Sequence, residues 1–378
     1  MRKIVIASDS FKGSLTSLEV AQAAEAGIRK VYPACEVVKV PIADGGEGTV
    51  DALIEFMGGV KVACKVHNPL MEQIDAYYGV LGDGKTAVIE MAAASGLTLL
   101  EAGRRNPLYT TTYGTGELIM DAIARGCNHL IIGVGGSATN DGGIGMLTAL
   151  GFVFRDSKGM QLEPIGAALS EIAYIDTIKA IPLHHIRFSV ASDVTNPFFG
   201  PNGAAHVFAR QKGADDDTIQ FLDAGMTHFA HLIRRLRGID LNAVPGTGAA
   251  GGLGGAFMAF LNSSISPGID LILETICFRE LIKKADLIIT GEGRMDSQTC
   301  MGKAPIGVLR FAEEQQIPVI ALAGSVQDEE VLTEAGFMCV MPVLPAPVSL
   351  QKAMDKEYAQ KNISRTVWQL LRLIHYYE

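Results

Sequence analysis

Both ends of the chain alternate short β-branched runs with helix signals, and this rhythm most narrows the folds open to it. Lys3 to Ala7 has the composition of a buried strand. Ser8 to Ser14 follows as a loop, and Thr16-x-x-Glu19 is a capping box opening a helix whose Leu18, Ala21, Ile28 and Val31 can share one face. A second unit repeats the order: strand Val37 to Pro41, loop Asp44 to Gly48, helix Thr49 to Met57. Toward the other end come strand Asp286 to Thr290, loop Gly291 to Gly293, and a helix from about Pro305. Strand Pro318 to Ala323, helix Asp328 to Ala335 and strand Cys339 to Val343 complete the series. Serial β-α alternation implies a parallel sheet covered on both faces.

Between residues 65 and 284 the rhythm loosens into a charged, strand-rich stretch (Val66 to Met91), several glycine loops and a polar helix from Asp215 to Arg237. The expected architecture is therefore α/β with two domains. One is a parallel-sheet domain of Rossmann type built from both chain ends, residues 1–64 and 285–378. The other is an α/β domain of residues 65–284 inserted into it. Ser349 to Tyr377 is expected as terminal helix, with Trp368, Leu370, Leu371 and Ile374 packing inward.

Composition limits the partners. Thirty-two Lys and Arg stand against 41 Asp and Glu, a net charge of -9, which argues against a surface built to attract phosphate backbones or anionic membranes. The uncharged stretch Ala243 to Ile269 carries GxxxG spacing, but its glycines, prolines and serines leave it short of the ~20 apolar residues a span needs. The six cysteines show no CxxC and no paired spacing, so a metal framework is not expected and a reduced, intracellular setting fits. His228-x-x-His231 has helix-face spacing, but without a third ligand near in sequence it is expected as a solvated helix surface.

Glycine is the compositional outlier, 42 of 378 residues against a usual ~7%, and it clusters with acids. The clusters are Asp9 to Ser14, Asp44 to Thr49, Gly135 to Gly143, Ser192 to Pro197 and Gly291 to Ser297. Most follow an expected strand, where ligands of open parallel sheets bind. Glycines let backbone N–H groups face an anion, and carboxylates hold hard cations such as Mg2+. Acids beside anion cradles point to a metal-bound phosphate substrate. No Walker P-loop is present, Gly-x-Ser-x-Gly is absent, and the one GxGxxG match, Gly246 to Gly251, follows a proline rather than the first strand. Any single Asp-Gly turn has an ordinary structural explanation, and Asp44, Asp141 and Asp296 could each cap a helix.

At these loops the sequence resembles the bacterial-type glycerate kinase family that makes 2-phosphoglycerate. The segments are DSFKGSL (Asp9–Leu15), PIADGGEGT (Pro41–Thr49), TYGTGE (Thr112–Glu117), GGSATNDGGIG (Gly135–Gly145), SDVTNP (Ser192–Pro197) with QKGA (Gln211–Ala214), GAAGGLG (Gly248–Gly254) and ADLIITGEGRMDSQTCMG (Ala285–Gly302). They run in collinear order over nearly the whole chain. Ser8 and Ala209-Arg210 depart from the family, which usually has proline and Gly-Pro there. The resemblance implies ATP and Mg2+ as co-substrates, D-glycerate as acceptor, and two α/β domains with a cleft between them, the first flavodoxin-like. Phosphoryl transfer needs positioning, charge neutralisation and a carboxylate to receive the alcohol proton. Asp193 is the expected base, and Lys12 would neutralise the moving phosphoryl group or the glycerate carboxylate. Ser10, Arg105 and Asn196 are the expected substrate contacts. Gly135, Gly136, Ser137, Thr139, Asp141, Gly248, Gly251, Gly252 and Lys212 are expected around ATP, and Asp296, Asp44 and Glu292 around the metal. Three alternatives stay open: a kinase of another small hydroxy acid, a 3-phosphoglycerate-forming kinase, and a non-catalytic sensor on the same scaffold. The expected partners are small molecules, with neither nucleic acid nor membrane; an oligomer is left unspecified, and the expected location is the cytoplasm.

Overall fold

The computed structural model describes residues 1–42, 45–46 and 48–377. The chain forms two compact units, Met1–Asp44 with Ile269–Glu378, and Gly45–Gly268. The expected boundaries at 64/65 and 284/285 lie further along the chain than these, for a packing reason. Helix Thr49–Met57 lays Val50 and Ile54 over Gly79, in the strand Gln73–Leu81 of the second unit. Ile269 packs against Gly307, and the Phe278 and Phe311 rings meet edge to face 6.2 Å apart, so the segment after Gly268 belongs to the first unit.

In the first unit five parallel strands run in the spatial order Cys339–Pro342, Val319–Val326, Leu287–Met295, Lys3–Ile6, Glu36–Lys39. Counted along the unit's own chain this is 5-4-3-1-2, the flavodoxin-like order. Its central strands are apolar on both faces: Ile4, Ile6, Leu287, Ile289, Ile320 and Leu322 are buried on one, Val5, Ile288, Val319 and Ala321 on the other, as helices on both sides require. The first helix, Ser17–Ile28, has the expected Thr16–Glu19 capping box. Its buried face is Val20, Ala21, Ala24 and Ile28, however, whereas Leu18 and Val31 are half-buried. Gly27 explains the rotation. A Cβ there would stand 2.5 Å from the Ser364 carbonyl oxygen, so glycine lets the C-terminal helix Lys356–Tyr377 lie against this side. Leu371 of that helix is buried, while Trp368, Leu370 and Ile374 are half-buried; a separate short helix, Leu350–Ala353, precedes it.

In the second unit six strands run in the order Ser264–Ser266, Arg187–Ala191, His129–Gly133, Thr86–Glu90, Gln73–Leu81, Gly59–His67. The first four are parallel, and the last two form an antiparallel hairpin at the edge. The long helix expected from Asp215 runs Asp216–Arg237, with Asp215 as its cap, and buries Leu222, Met226 and Phe229. All six cysteines are free, His228 and His231 are exposed, and no helix among the described residues is long and apolar enough to cross a membrane.

Candidate active site

The topological switch of the first sheet lies between strands Lys3–Ile6 and Leu287–Met295, whose chains continue to opposite sides. Open α/β sheets bind ligands beyond the carboxyl ends at such a point. Found there are the loop Ser8 to Leu15 and the end of Leu287–Met295 with the turn Ser297–Met301 after it. The loop expected at Gly291 to Gly293 is strand instead, paired with Leu322 and Ala323. The two segments are stitched together by their backbones. Asp9 N donates to the Gly291 carbonyl at 2.9 Å, and the Ser8 hydroxyl donates to the same oxygen at 3.0 Å. Ser8, the departure from proline, thus adds a bond to the junction. Asp9 Oδ1 accepts from Ser10 N at 2.6 Å. A tight turn closed by the Phe11–Leu15 bridge leaves Lys12 exposed at its tip.

Two acids stand at the end of Leu287–Met295. Glu292 is only 9% exposed; its Oε1 accepts from the Thr299 hydroxyl at 2.6 Å, and Lys303 Nζ lies 3.5 Å from its Oε2. Burial pushes this carboxyl above the usual carboxylate range, while the Thr299 bond and the Lys303 charge oppose the shift. Asp296 uses Oδ1 to cap the turn Ser297–Met301 through Gln298 N, and Arg294 Nε stands 3.2 Å from its Oδ2. The capping reading of Asp296 therefore holds, and the side chain still lies beside Glu292. Lys303, a cation the sequence already sets beside these clusters, and Arg294, which lies within the acid-glycine segment but carries no expected role, complete the charge pattern.

In the second unit the carboxyl ends of the parallel strands also gather their loops. Asp193, exposed just past Arg187–Ala191, accepts from Gly268 N through Oδ1 at 2.9 Å. Asn196 is half-buried and holds its own loop, its Nδ2 donating to the Asn202 carbonyl at 2.9 Å and its carbonyl accepting from Gly248 N at 3.0 Å. Gly135 and Gly136 are exposed past His129–Gly133, and Ser137 is buried.

Beyond Ser137 the same loop turns inward, and several of the expected nucleotide contacts are buried there. Asp141 is fully buried. Its Oδ2 accepts from Thr112 N (2.8 Å), the Thr112 hydroxyl (2.8 Å) and Gly145 N (3.1 Å), and its Oδ1 accepts from Gly143 N (3.0 Å). Burial pushes its carboxyl upward, and these donors pull the other way. The Thr112 hydroxyl in turn accepts from Met146 N at 2.9 Å, a role nothing in the sequence signalled. Thr139 is fully buried, and its hydroxyl has no partner among the described residues.

Lys212, expected near phosphate, is 1% exposed and donates to the Thr139 carbonyl at 2.7 Å. Gly248, Gly251 and Gly252 are buried as well. Gly251, at φ 67°, packs so closely on the Thr139 carbonyl that a Cβ would overlap it, so its glycine serves loop-against-loop contact. Arg105 is half-buried: its Nε donates to the Leu100 carbonyl at 3.2 Å and one terminal nitrogen reaches the Leu97 carbonyl at 3.5 Å. Asp44 lies outside the described residues.

Residues 4–375 match the model of the glycerate kinase family. The chain belongs to that family. It is 47% identical to a glycerate kinase of Bacillus cereus over 99% of this chain and 100% of the relative. A glycerate 2-kinase of Escherichia coli is 46% identical over 97% of this chain and 98% of its own. A crystal structure of a candidate glycerate kinase 2 from Salmonella typhimurium LT2 superposes with a TM-score of 0.90 at 44% identity, covering 99% and 98% of the two chains. As a member of the glycerate kinase family the chain is an enzyme of the kinase class, with ATP as its co-substrate.

Proposed function

We propose that this kinase transfers the γ-phosphoryl group of ATP to the 2-hydroxyl of D-glycerate, giving 2-phosphoglycerate and ADP. The observation that carries the reading is the family match over residues 4–375, with a relative named glycerate 2-kinase, in a chain that carries Lys12, Asp193, Glu292 and Asp296. Asp193 accepts the alcohol proton, with Gly268 N fixing one of its oxygens. Lys12 supplies positive charge from its turn at the switch point, and Ser10 and Asn196 contribute polar groups toward glycerate. The exposed backbone of Gly135 and Gly136 faces the nucleotide phosphates.

Mg2+ accompanies ATP in this reading, and the donor set fits it. Glu292 and Asp296 offer hard carboxylate oxygens at the end of one strand. Among the described residues no group of three or more His, Cys, Asp or Glu forms a cage. One or two carboxylates with phosphate oxygens and water is the usual setting for Mg2+ at phosphate-transfer sites. When bound, the cation neutralises phosphate charge. Glu292→Gln is expected to raise the Mg2+ concentration for half-maximal activity by about tenfold or more. An unchanged Mg2+ dependence would remove Glu292 from this role.

The product decides the proposal. Enolase without a mutase consumes 2-phosphoglycerate directly and not the 3-isomer. With purified enzyme, ATP, Mg2+ and D-glycerate, phosphoenolpyruvate is expected to accumulate in the coupled assay. ADP release with phosphoenolpyruvate appearing only after a mutase is added would mean transfer to the other hydroxyl, ADP release matched by free phosphate would mean transfer to water, and no ADP release on D-glycerate would reject the substrate. The enzyme acts on small molecules, needs no nucleic acid or membrane, and suits the cytoplasm.

A further inference from the structure

The buried end of the Gly135–Gly143 loop is held from outside. Thr139 and Asn140 are fully buried, yet Thr139 Oγ1 and Asn140 Oδ1 have no hydrogen-bond partner among the described residues. Asn140 Nδ2 donates to Met226 Sδ at 3.1 Å, a weak acceptor, so their side chains hold the loop only in part. Gly251 closes on the Thr139 carbonyl from the Gly248–Gly254 turn, and the Gly251 carbonyl accepts from Gly142 N at 2.9 Å. Lys212 reaches the same Thr139 carbonyl from the short turn Arg210–Lys212, with its Nζ at 2.7 Å.

An ammonium group is an expensive way to fill that space. Burial drives Lys212 down to about 7, with the nearby Asp141 charge opposing the shift, and an apolar side chain of the same length would avoid the desolvation. What the lysine adds is a donor to a buried carbonyl at the root of the loop.

We infer that Lys212 is a positioning residue: it pins the Thr139 peptide at the inner end of the loop. Together with the bonds from Leu97 N to the Gly136 carbonyl (2.8 Å) and from Ala138 N to the Ser95 carbonyl (2.9 Å), it holds the backbone that Gly135 and Gly136 present to the nucleotide. The inference rests on the reading of that loop as the ATP cradle. It replaces the expectation that Lys212 itself touches phosphate.

The test is Lys212→Met, close in length and neutral, measured two ways. Hydrogen exchange in peptides spanning 135–143, without any ligand, reports the pin. The steady-state constants for ATP and D-glycerate report its consequence. Exchange in 135–143 is expected to quicken by about tenfold or more, and KM for ATP to rise by about tenfold, with kcat and KM for D-glycerate within about threefold. Unchanged exchange overturns the pin. A risen ATP KM with unchanged exchange also overturns it, since Lys212 would then act on the phosphates directly. Quickened exchange with unchanged ATP KM leaves the pin standing but rejects the loop as nucleotide cradle, and the role in the reaction goes with it.

Lys212→Arg, which keeps charge and a donor, is expected to hold exchange near the unmutated rate; a loss equal to that of the Met variant counts against the inference. Should neither variant fold, the unmutated chain still decides. Amide protons of Gly142, Gly143 and Gly145 are expected to exchange as slowly as those of the strand His129–Gly133, and rates typical of open loops would overturn the proposal.

Discussion

Asp193→Asn is expected to lower kcat by about 10^2 to 10^4 at saturating ATP and D-glycerate, with little change in thermal stability. The contrast follows from how the side chain is held. Asp193 lies exposed past the end of Arg187–Ala191, so replacing it disturbs no core. Its Oδ1 accepts from Gly268 N at 2.9 Å, a bond the asparagine carbonyl can keep, and the loop geometry survives. What disappears is the capacity to take a proton. As the 2-hydroxyl attacks, its proton must leave, and an amide oxygen is far too weak a base to receive it near neutral pH. Phosphoryl transfer is largely dissociative, so positioning and charge neutralisation continue in the variant; the loss is therefore bounded and not total. ADP release measured by a coupled assay gives kcat, and a thermal melt gives the control. A variant that turns over at near-normal speed while folding normally would take the base assignment from Asp193.

The alternation of strands and helices at the chain ends was legible because parallel strands buried on both faces must be continuously apolar. Ile4 to Ile6 and Leu287 to Ile289 show that directly. Where one unit hands over to the other was not legible. Helix Thr49–Met57 has an apolar face that either sheet could cover, and only the seat of Val50 and Ile54 on Gly79 decides which. The same limit governs the site. Residue type named Glu292, Asp296, Lys12 and Asp193 as chemically apt. Type does not say which way a side chain points, and the Gly135–Gly143 segment begins exposed and ends fully buried within a few residues. Asp141, Lys212 and Arg105 have the charges a ligand contact would need, and each bonds inside the protein, to Thr112, Thr139 and Leu100. That distinction depends on residues distant in sequence, such as Thr112 meeting Asp141, and no local spacing encodes it.

Asp141→Ala is expected to cost about 3 to 5 kcal/mol of folding stability, the largest stability effect of any single substitution considered. The carboxylate is completely enclosed and gathers Thr112 N, the Thr112 hydroxyl, Gly143 N and Gly145 N. Three of those donors are backbone groups that cannot rotate away. Alanine leaves them buried without an acceptor, and each orphaned donor costs about 1–3 kcal/mol, less whatever the loop recovers by relaxing. Lys212 adds to the loss, because the negative charge that favours its ammonium form goes too. Asp141→Asn separates the contributions. Its carbonyl oxygen can accept on one side, but its amide nitrogen must then face backbone N–H groups on the other, so an intermediate loss is expected. Urea unfolding followed at constant m-value measures both variants. A midpoint for Asp141→Ala within the range of exposed-site substitutions, about 0.5 kcal/mol, would mean that the enclosed carboxylate does not hold this loop.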